Sequence, residues 1–158
     1  APGGWTQVAA ERVAAGEPGG GTVFAVDLAE VEPVRGVRFL RLDLSEPKAG
    51  SELARALGAP VDVVLSDMAP PATGHAATDH LRVLALSEAA LSVAKAVLKP
   101  GGAFVVKLLK GGAEGDLLAE IGRLFWTVRH AKPRASRARS AEIYLVATGF
   151  RGRSLSGD

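Results

Sequence analysis

The stretch Val61-Asp-Val-Val-Leu-Ser-Asp67-Met-Ala-Pro-Pro71 puts a carboxylate at the end of a short apolar run and directly before two prolines. A run of β-branched residues of this length reads as a buried parallel strand. Neither Pro70 nor Pro71 has an N–H to donate to a ladder, so the chain must leave the sheet just past Asp67. In open α/β sheets the carboxyl edge of the strands is where ligands bind. Two more runs, Thr22 to Asp27 and Val37 to Asp43, also read as strands finishing on an aspartate. An Asx turn explains any one of these residues; three strands that end in carboxylates along one edge of a single sheet, as expected here, are hard to explain by turn chemistry alone. Asp27 also follows the Gly3-Gly4 turn by about 20 residues, the spacing at which an acid accepts hydrogen bonds from ribose hydroxyls. In Ala103-Phe-Val-Val-Lys107-Leu-Leu109 a lysine interrupts a buried strand. That is costly unless a carboxylate pairs with it or it lies at the strand tip, snorkelling being the alternative.

Around these residues the chain alternates strands with helices. The glycine turn Ala1-Pro2-Gly3-Gly4-Trp5 leads into a helix over Thr6–Ala15 with Val8, Ala9 and Val13 as its apolar stripe. Such a turn lets a ligand approach backbone and helix N-terminus. A short helix over Glu52–Leu57 stops at Gly58 to Pro60. A long one over Asp79–Leu98, with Thr78 or Asp79 as N-cap, carries Leu81, Leu84, Leu91, Ala94 and Leu98 and ends at Lys99-Pro-Gly-Gly102. Another helix is expected over Gly115–Trp126, then strands at Thr127–Ala131 and Glu142–Thr148. The order predicts an α/β fold with a mostly parallel sheet and an antiparallel final strand. Residues 1–150 read as one domain and 151–158 as a mobile tail.

Among its 158 residues the chain has no cysteine, which excludes disulfides and thiolate metal sites and fits a reducing cytoplasm. No apolar segment approaches the roughly 20 residues of a membrane span, and no signal peptide is expected at the start. The net charge is only +2, but Arg129 to Arg139 carries five fixed positive charges and no acid. Such a block is usually a solvated face, but it is also the footprint expected for phosphate contacts, for which Lys132, Arg134, Arg137 and Arg139 are the candidates. A dinucleotide oxidoreductase is the first rival, opposed by the lack of a Gly-x-Gly-x-x-Gly fingerprint. A non-catalytic RNA-binding module is the second. His75, Asp79 and His80 have spacing that fits no metal-ligand set, so no metal is expected.

Five segments together resemble the FtsJ/RlmE-type methyltransferases, over nearly the whole chain up to Gly149: Ala1 to Trp5, Val26-Asp27-Leu28, Leu65 to Pro70, Leu98 to Lys107, and Lys132 to Tyr144. The Ser-Asp-Met-Ala-Pro loop and the Val-Val-Lys strand are the specific parts. The resemblance implies a Rossmann-like S-adenosylmethionine-dependent methyltransferase that modifies a ribose 2′-hydroxyl of RNA, a uridine of large-subunit ribosomal RNA in bacterial members. It implies that Gly3 and Trp5 flank the methionine part of the cofactor, that Asp27 binds its ribose, and that Asp43 lies near the adenine. Asp67 would stand at the junction of cofactor and substrate, with Lys107 and Glu142 completing the catalytic set. The family's first lysine, on a helix before the glycine turn, and its first strand have no counterpart in this stretch, so the chain is expected to be incomplete at its N-terminus. Ribosomal RNA, free or within the large subunit, is the expected partner of a cytoplasmic monomer.

Overall fold

The computed structural model describes residues 3–110, 112–132 and 141–152. The chain divides into two units, one ending at Glu46 and one starting at Pro47. In the first, helix α1 (Gly4–Arg12) precedes strands β1 (Val23–Asp27) and β2 (Val37–Arg41). The two strands pair in parallel from Val23 opposite Val37 to Asp27 opposite Arg41. Gly3 caps α1 from the left-handed region at φ 84°, which a side-chain-bearing residue adopts only with strain. The helix ends earlier than its sequence pattern suggests. Val8 and Val13 are exposed, and the buried apolar residues of this unit are Ala10, Ala15 and Ala25. Packing here rests on small side chains, each removing little apolar surface from water.

The second unit runs α2 (Ala49–Leu57), β3 (Val61–Ser66), α3 (Ala76–Val97), β4 (Leu98–Leu109), α4 (Gly115–Leu124), β5 (Phe125–Ala131) and β6 (Glu142–Phe150). Its sheet has the order β3-β4-β6-β5. β3 and β4 are parallel, while β6 enters antiparallel to both β4 and β5. Among the described residues the fold is therefore α/β with a single reversed strand, as the element order predicts. α2 stops at Gly58, whose φ of 73° and N–H to the Ala54 carbonyl make a left-handed C-cap.

One face of β4 and β6 supplies the core. Phe104, Val106 and Leu108 alternate inward on β4, Ile143, Leu145 and Ala147 on β6, and Leu91, Ala94, Leu117, Ile121, Phe125 and Phe150 pack with them. Burying a side chain of the size of Leu145 or Ile121 contributes about 1.5–3 kcal/mol. Lys107 does not interrupt this face. Period-two alternation puts it on the opposite, half-buried face with Val105 and Leu109, which is how a lysine is tolerated inside an apolar strand.

Two expectations need correction. Asp27, Asp43 and Asp67 do not end three strands of one sheet: Asp27 closes β1, Asp43 lies two residues beyond β2, and Asp67 follows β3 in the other sheet. No described strand pairs with both β1 and β3. Pairing is a long-range choice that a local pattern of apolar run plus acid does not encode. The long helix also begins at Ala76, ahead of Thr78 and Asp79; Leu84, Leu91, Ala94 and Leu98 pack in or against the core as expected, but Leu81 is 57% exposed, and His80, Val83, Ser87 and Ala90 are buried in its place. No described helix is long and apolar enough to cross a membrane.

Candidate active site

Three elements of the second unit deliver charged side chains to one place. The ladder between β3 and β4 ends at Ser66 opposite Val106, so Asp67 comes level with Lys107 as the chain leaves the sheet. Across the other edge of β4, Lys107 is opposite Tyr144 and Leu109 is opposite Glu142. Lys107 Nζ lies 2.7 Å from Asp67 Oδ1 and 3.8 Å from Glu142 Oε1. Only 11% of the lysine side chain is exposed, against 38% for Asp67 and 47% for Glu142. The stem is thus buried along the sheet while its charged end meets carboxylates that face solvent. A charge-assisted bond at this distance is among the stronger hydrogen bonds.

Tyr144 joins the cluster, which makes four residues. Its hydroxyl donates to the same Asp67 Oδ1 at 2.7 Å, and Lys107 Nζ lies 6.0 Å from the ring centroid. Burial, then the bond to Asp67, then the charges of Asp67 and Glu142 raise the phenol well above its ordinary value, because each disfavours a phenolate. The hydroxyl is fixed as a donor. Tyr144 is two residues from Glu142, so strand alternation puts both on one face; that spacing was available in the sequence.

The loop after Asp67 is tied back to α3. Asp79 Oδ1 accepts from the Thr73 N–H at 2.8 Å and the Thr73 hydroxyl at 2.7 Å, while Arg82 donates to the Pro71 carbonyl at 3.0 Å. The Thr73 hydroxyl, then its N–H, holds the Asp79 carboxyl below the usual carboxylate range. Asp79 therefore acts as a latch for this loop instead of the helix N-cap, a position occupied by His75.

The first unit holds the residues assigned to a nucleotide-type cofactor. Asp27 ends β1; burial alone would raise its carboxyl, but bonds such as that from the Ala29 N–H at 3.0 Å leave it lowered. Asp43 is lowered by the Ser45 hydroxyl, at 2.6 Å, and by the Ser45 N–H. Gly3, before the N-terminus of α1, has open space where a Cβ would project. Two ionised acceptors at the carboxyl ends of adjacent parallel strands, with a glycine turn opening a helix, fit the hydroxyl-rich ribose and the amino-acid moiety of S-adenosylmethionine. Trp5 is partly exposed in the first turn of α1.

Of the basic block, Lys132 is exposed directly after β5; Arg134, Arg137 and Arg139 lie outside the described residues. Both flanks of the stretch from Lys132 to Arg139 reach the cluster. Ala131 pairs with Tyr144 before it, and after it Ala141 accepts from the Lys110 N–H just ahead of Glu142.

Comparison with known proteins identifies the family. The model of the FtsJ-like methyltransferase family matches residues 1–150. The chain belongs to this family. It is 56% identical over 155 residues to the ribosomal RNA large subunit methyltransferase E of Paramagnetospirillum magneticum, covering 98% of this chain and 64% of that protein. To the protein of the same name from Xanthobacter autotrophicus it is 53% identical, covering 96% and 59%. The chain thus spans about three-fifths of the length of these curated relatives. A crystal structure of a ribosomal RNA methyltransferase from Plasmodium falciparum superposes with a TM-score of 0.80 at 26% identity, over 96% of this chain and 83% of that one. Human methyltransferase-like protein 13, at 14% identity and a TM-score of 0.63 over 99% and 71%, shares the fold.

Proposed function

We propose that this chain forms the catalytic part of an S-adenosylmethionine-dependent ribose 2′-O-methyltransferase whose substrate is a uridine of large-subunit ribosomal RNA. The reading rests above all on Lys107 held at 2.7 Å by Asp67, within reach of Glu142 and beside Tyr144, in a chain of the FtsJ-like family. Its relatives' names supply the RNA, and the family match, which runs through both units, supports our reading of residues 1–150 as one methyltransferase domain. Gly3, Trp5, Asp27 and Asp43, with Asp67, are the residues we assign to the cofactor. When bound, S-adenosylmethionine supplies a methyl group on a positively charged sulfur.

The chemistry left to the protein is positioning and proton handling. A ribose hydroxyl is a weak nucleophile, and its proton must leave as the oxygen–carbon bond forms and the carbon–sulfur bond breaks. Lys107 is the group we assign to that oxygen; the part-exposed Asp67 and Glu142 carboxylates fix its direction and take the proton on to solvent, and the Tyr144 hydroxyl holds Asp67 in place. Lys132, Arg134, Arg137 and Arg139, on a segment whose two flanks reach the cluster, bind phosphates around the target ribose. We read the enzyme as a cytoplasmic monomer acting on ribosomal RNA, either free or in the large subunit.

The test is methylation of ribosomal RNA with a labelled methyl donor, followed by nucleoside analysis. A 2′-O-methylated uridine is expected, with RNA affinity falling steeply as salt rises and cofactor affinity unaffected by neutralising the basic block. Label on a base, or no label with the whole protein, contradicts the reading.

A further inference from the structure

Helix α3 turns two polar side chains into the core: His80, 8% exposed, and Ser87, 2% exposed. They are seven residues apart, two turns of helix, and so share one face with Val83, Ala90, Leu91 and Ala94. A polar group buried among apolar neighbours is stabilising only if it is bonded. Both of these reach β4 or the loop that leaves it.

Ser87 Oγ lies 2.8 Å from the Val83 carbonyl and 2.9 Å from the Lys107 carbonyl. The first contact is the one any helical serine can make to the preceding turn. The second has a specific cause. Lys110 donates to Ala141 at 3.0 Å, which makes that opposed pair hydrogen-bonded, and by antiparallel alternation Lys107 and Tyr144 form a non-hydrogen-bonded pair. The Lys107 carbonyl therefore points away from β6, towards the side of β3. The β3 ladder has ended one residue earlier, at Val106. Ser87, whose one hydroxyl proton is shared between the two carbonyls, supplies the donor that the sheet lacks at the residue carrying the buried amine.

His80 acts one step further along. Its Nε2 accepts from the Ala113 N–H at 3.4 Å and lies 3.5 Å from Glu114 Oε2, which itself accepts from the Gly112 N–H at 2.7 Å. The loop that follows β4 is gathered on this ring, whose Nδ1 has no partner among the described residues.

We propose that Ser87 and His80 are positioning residues for Lys107: they fix the carboxyl end of β4 and its loop so that Nζ is held at Asp67 Oδ1. The proposal rests on the reading of Lys107 as the group at the substrate hydroxyl. It is tested in the whole protein with Ser87→Ala, Ser87→Thr, His80→Leu and His80→Gln beside Lys107→Ala, by single-turnover methylation, cofactor affinity and amide exchange at Ala113.

Ser87→Ala is expected to slow transfer about tenfold, the effect of one lost hydrogen bond, with RNA and cofactor affinities within about twofold, and Ser87→Thr to restore the rate. His80→Leu is expected to slow transfer and to speed Ala113 exchange about tenfold, whereas His80→Gln, which keeps an acceptor, does neither. Normal transfer in Ser87→Ala while Lys107→Ala is inactive overturns the positioning role alone. Activity in Lys107→Ala overturns the reading of the lysine, and the proposal with it. Should Ser87→Ala not fold, the His80 arm decides, and equal effects of Leu and Gln overturn the proposal.

Discussion

Lys107 and Tyr144 stand opposite each other on β4 and β6 and donate to the same oxygen, Oδ1 of Asp67. Opposed residues of a non-hydrogen-bonded pair have Cα atoms only about 4.5 Å apart, which is what lets two side chains converge on a third strand's carboxylate. Asp67 is consequently held from two directions, by an amine and by a phenol that cannot easily ionise beside it.

This arrangement makes Tyr144 a reporter. It is the one tyrosine of the sequence, so the near-ultraviolet phenolate absorbance of the chain follows it alone. Its folded value is raised, first by burial and then by Asp67. A raised group contributes stability that is fully present below the unfolded value, about 10, and lost as pH rises through the folded one. Phenolate is expected to appear only well above pH 10 and together with alkaline unfolding. In Asp67→Asn it should appear at lower pH. Ordinary titration in the native protein contradicts the bond to Asp67.

Removing charge from Asp67 and from Glu142 should have unequal effects. Asp67→Asn weakens the 2.7 Å contact to a nearly buried amine, whereas Glu142→Gln touches a 3.8 Å contact whose carboxylate is about half exposed and screened by solvent. The expected losses in transfer rate are about a hundredfold or more for the first and within about tenfold for the second. Single-turnover rates at saturating cofactor separate the two. Equal losses would make Glu142 a full partner of the lysine.

The latch on the loop after Asp67 predicts an acid-sensitive segment. The Asp79 carboxyl is lowered from 3.8 by Thr73, so its contribution is present above that value and is lost as pH falls through the lower folded one. The Thr73 amide resonance should therefore move at a pH below 3.8, and Asp79→Ala should speed its exchange about tenfold at neutral pH with little change in Tm. A Thr73 amide indifferent to Asp79→Ala refutes the latch.

Much of this was legible in the residues. The end of β3 at Ser66 follows from an apolar run closed by two prolines, and the need for Lys107 to meet a carboxylate follows from the cost of burying an amine. Other features needed three dimensions. Thr78-Asp79 has the chemistry of an N-cap, yet the Asp79 side chain is spent on Thr73 and the helix starts at Ala76. Counting leucines puts Leu81 on the core face; the real stripe also includes His80 and Ser87, because β4 and its loop offer there a carbonyl beyond the end of the β3 ladder and a loop N–H. Whether β1 and β3 share a sheet depends on hydrogen bonds between distant segments, for which a strand's own sequence holds no record.

The most direct test of the account is the single-turnover rate of 2′-O-methylation by Lys107→Ala, measured with ribosomal RNA beside its affinity for S-adenosylmethionine. Loss of transfer by about a hundredfold or more, with cofactor affinity within about twofold of the native protein, is the predicted result. Near-native transfer with the cofactor still bound would contradict the role assigned to Lys107.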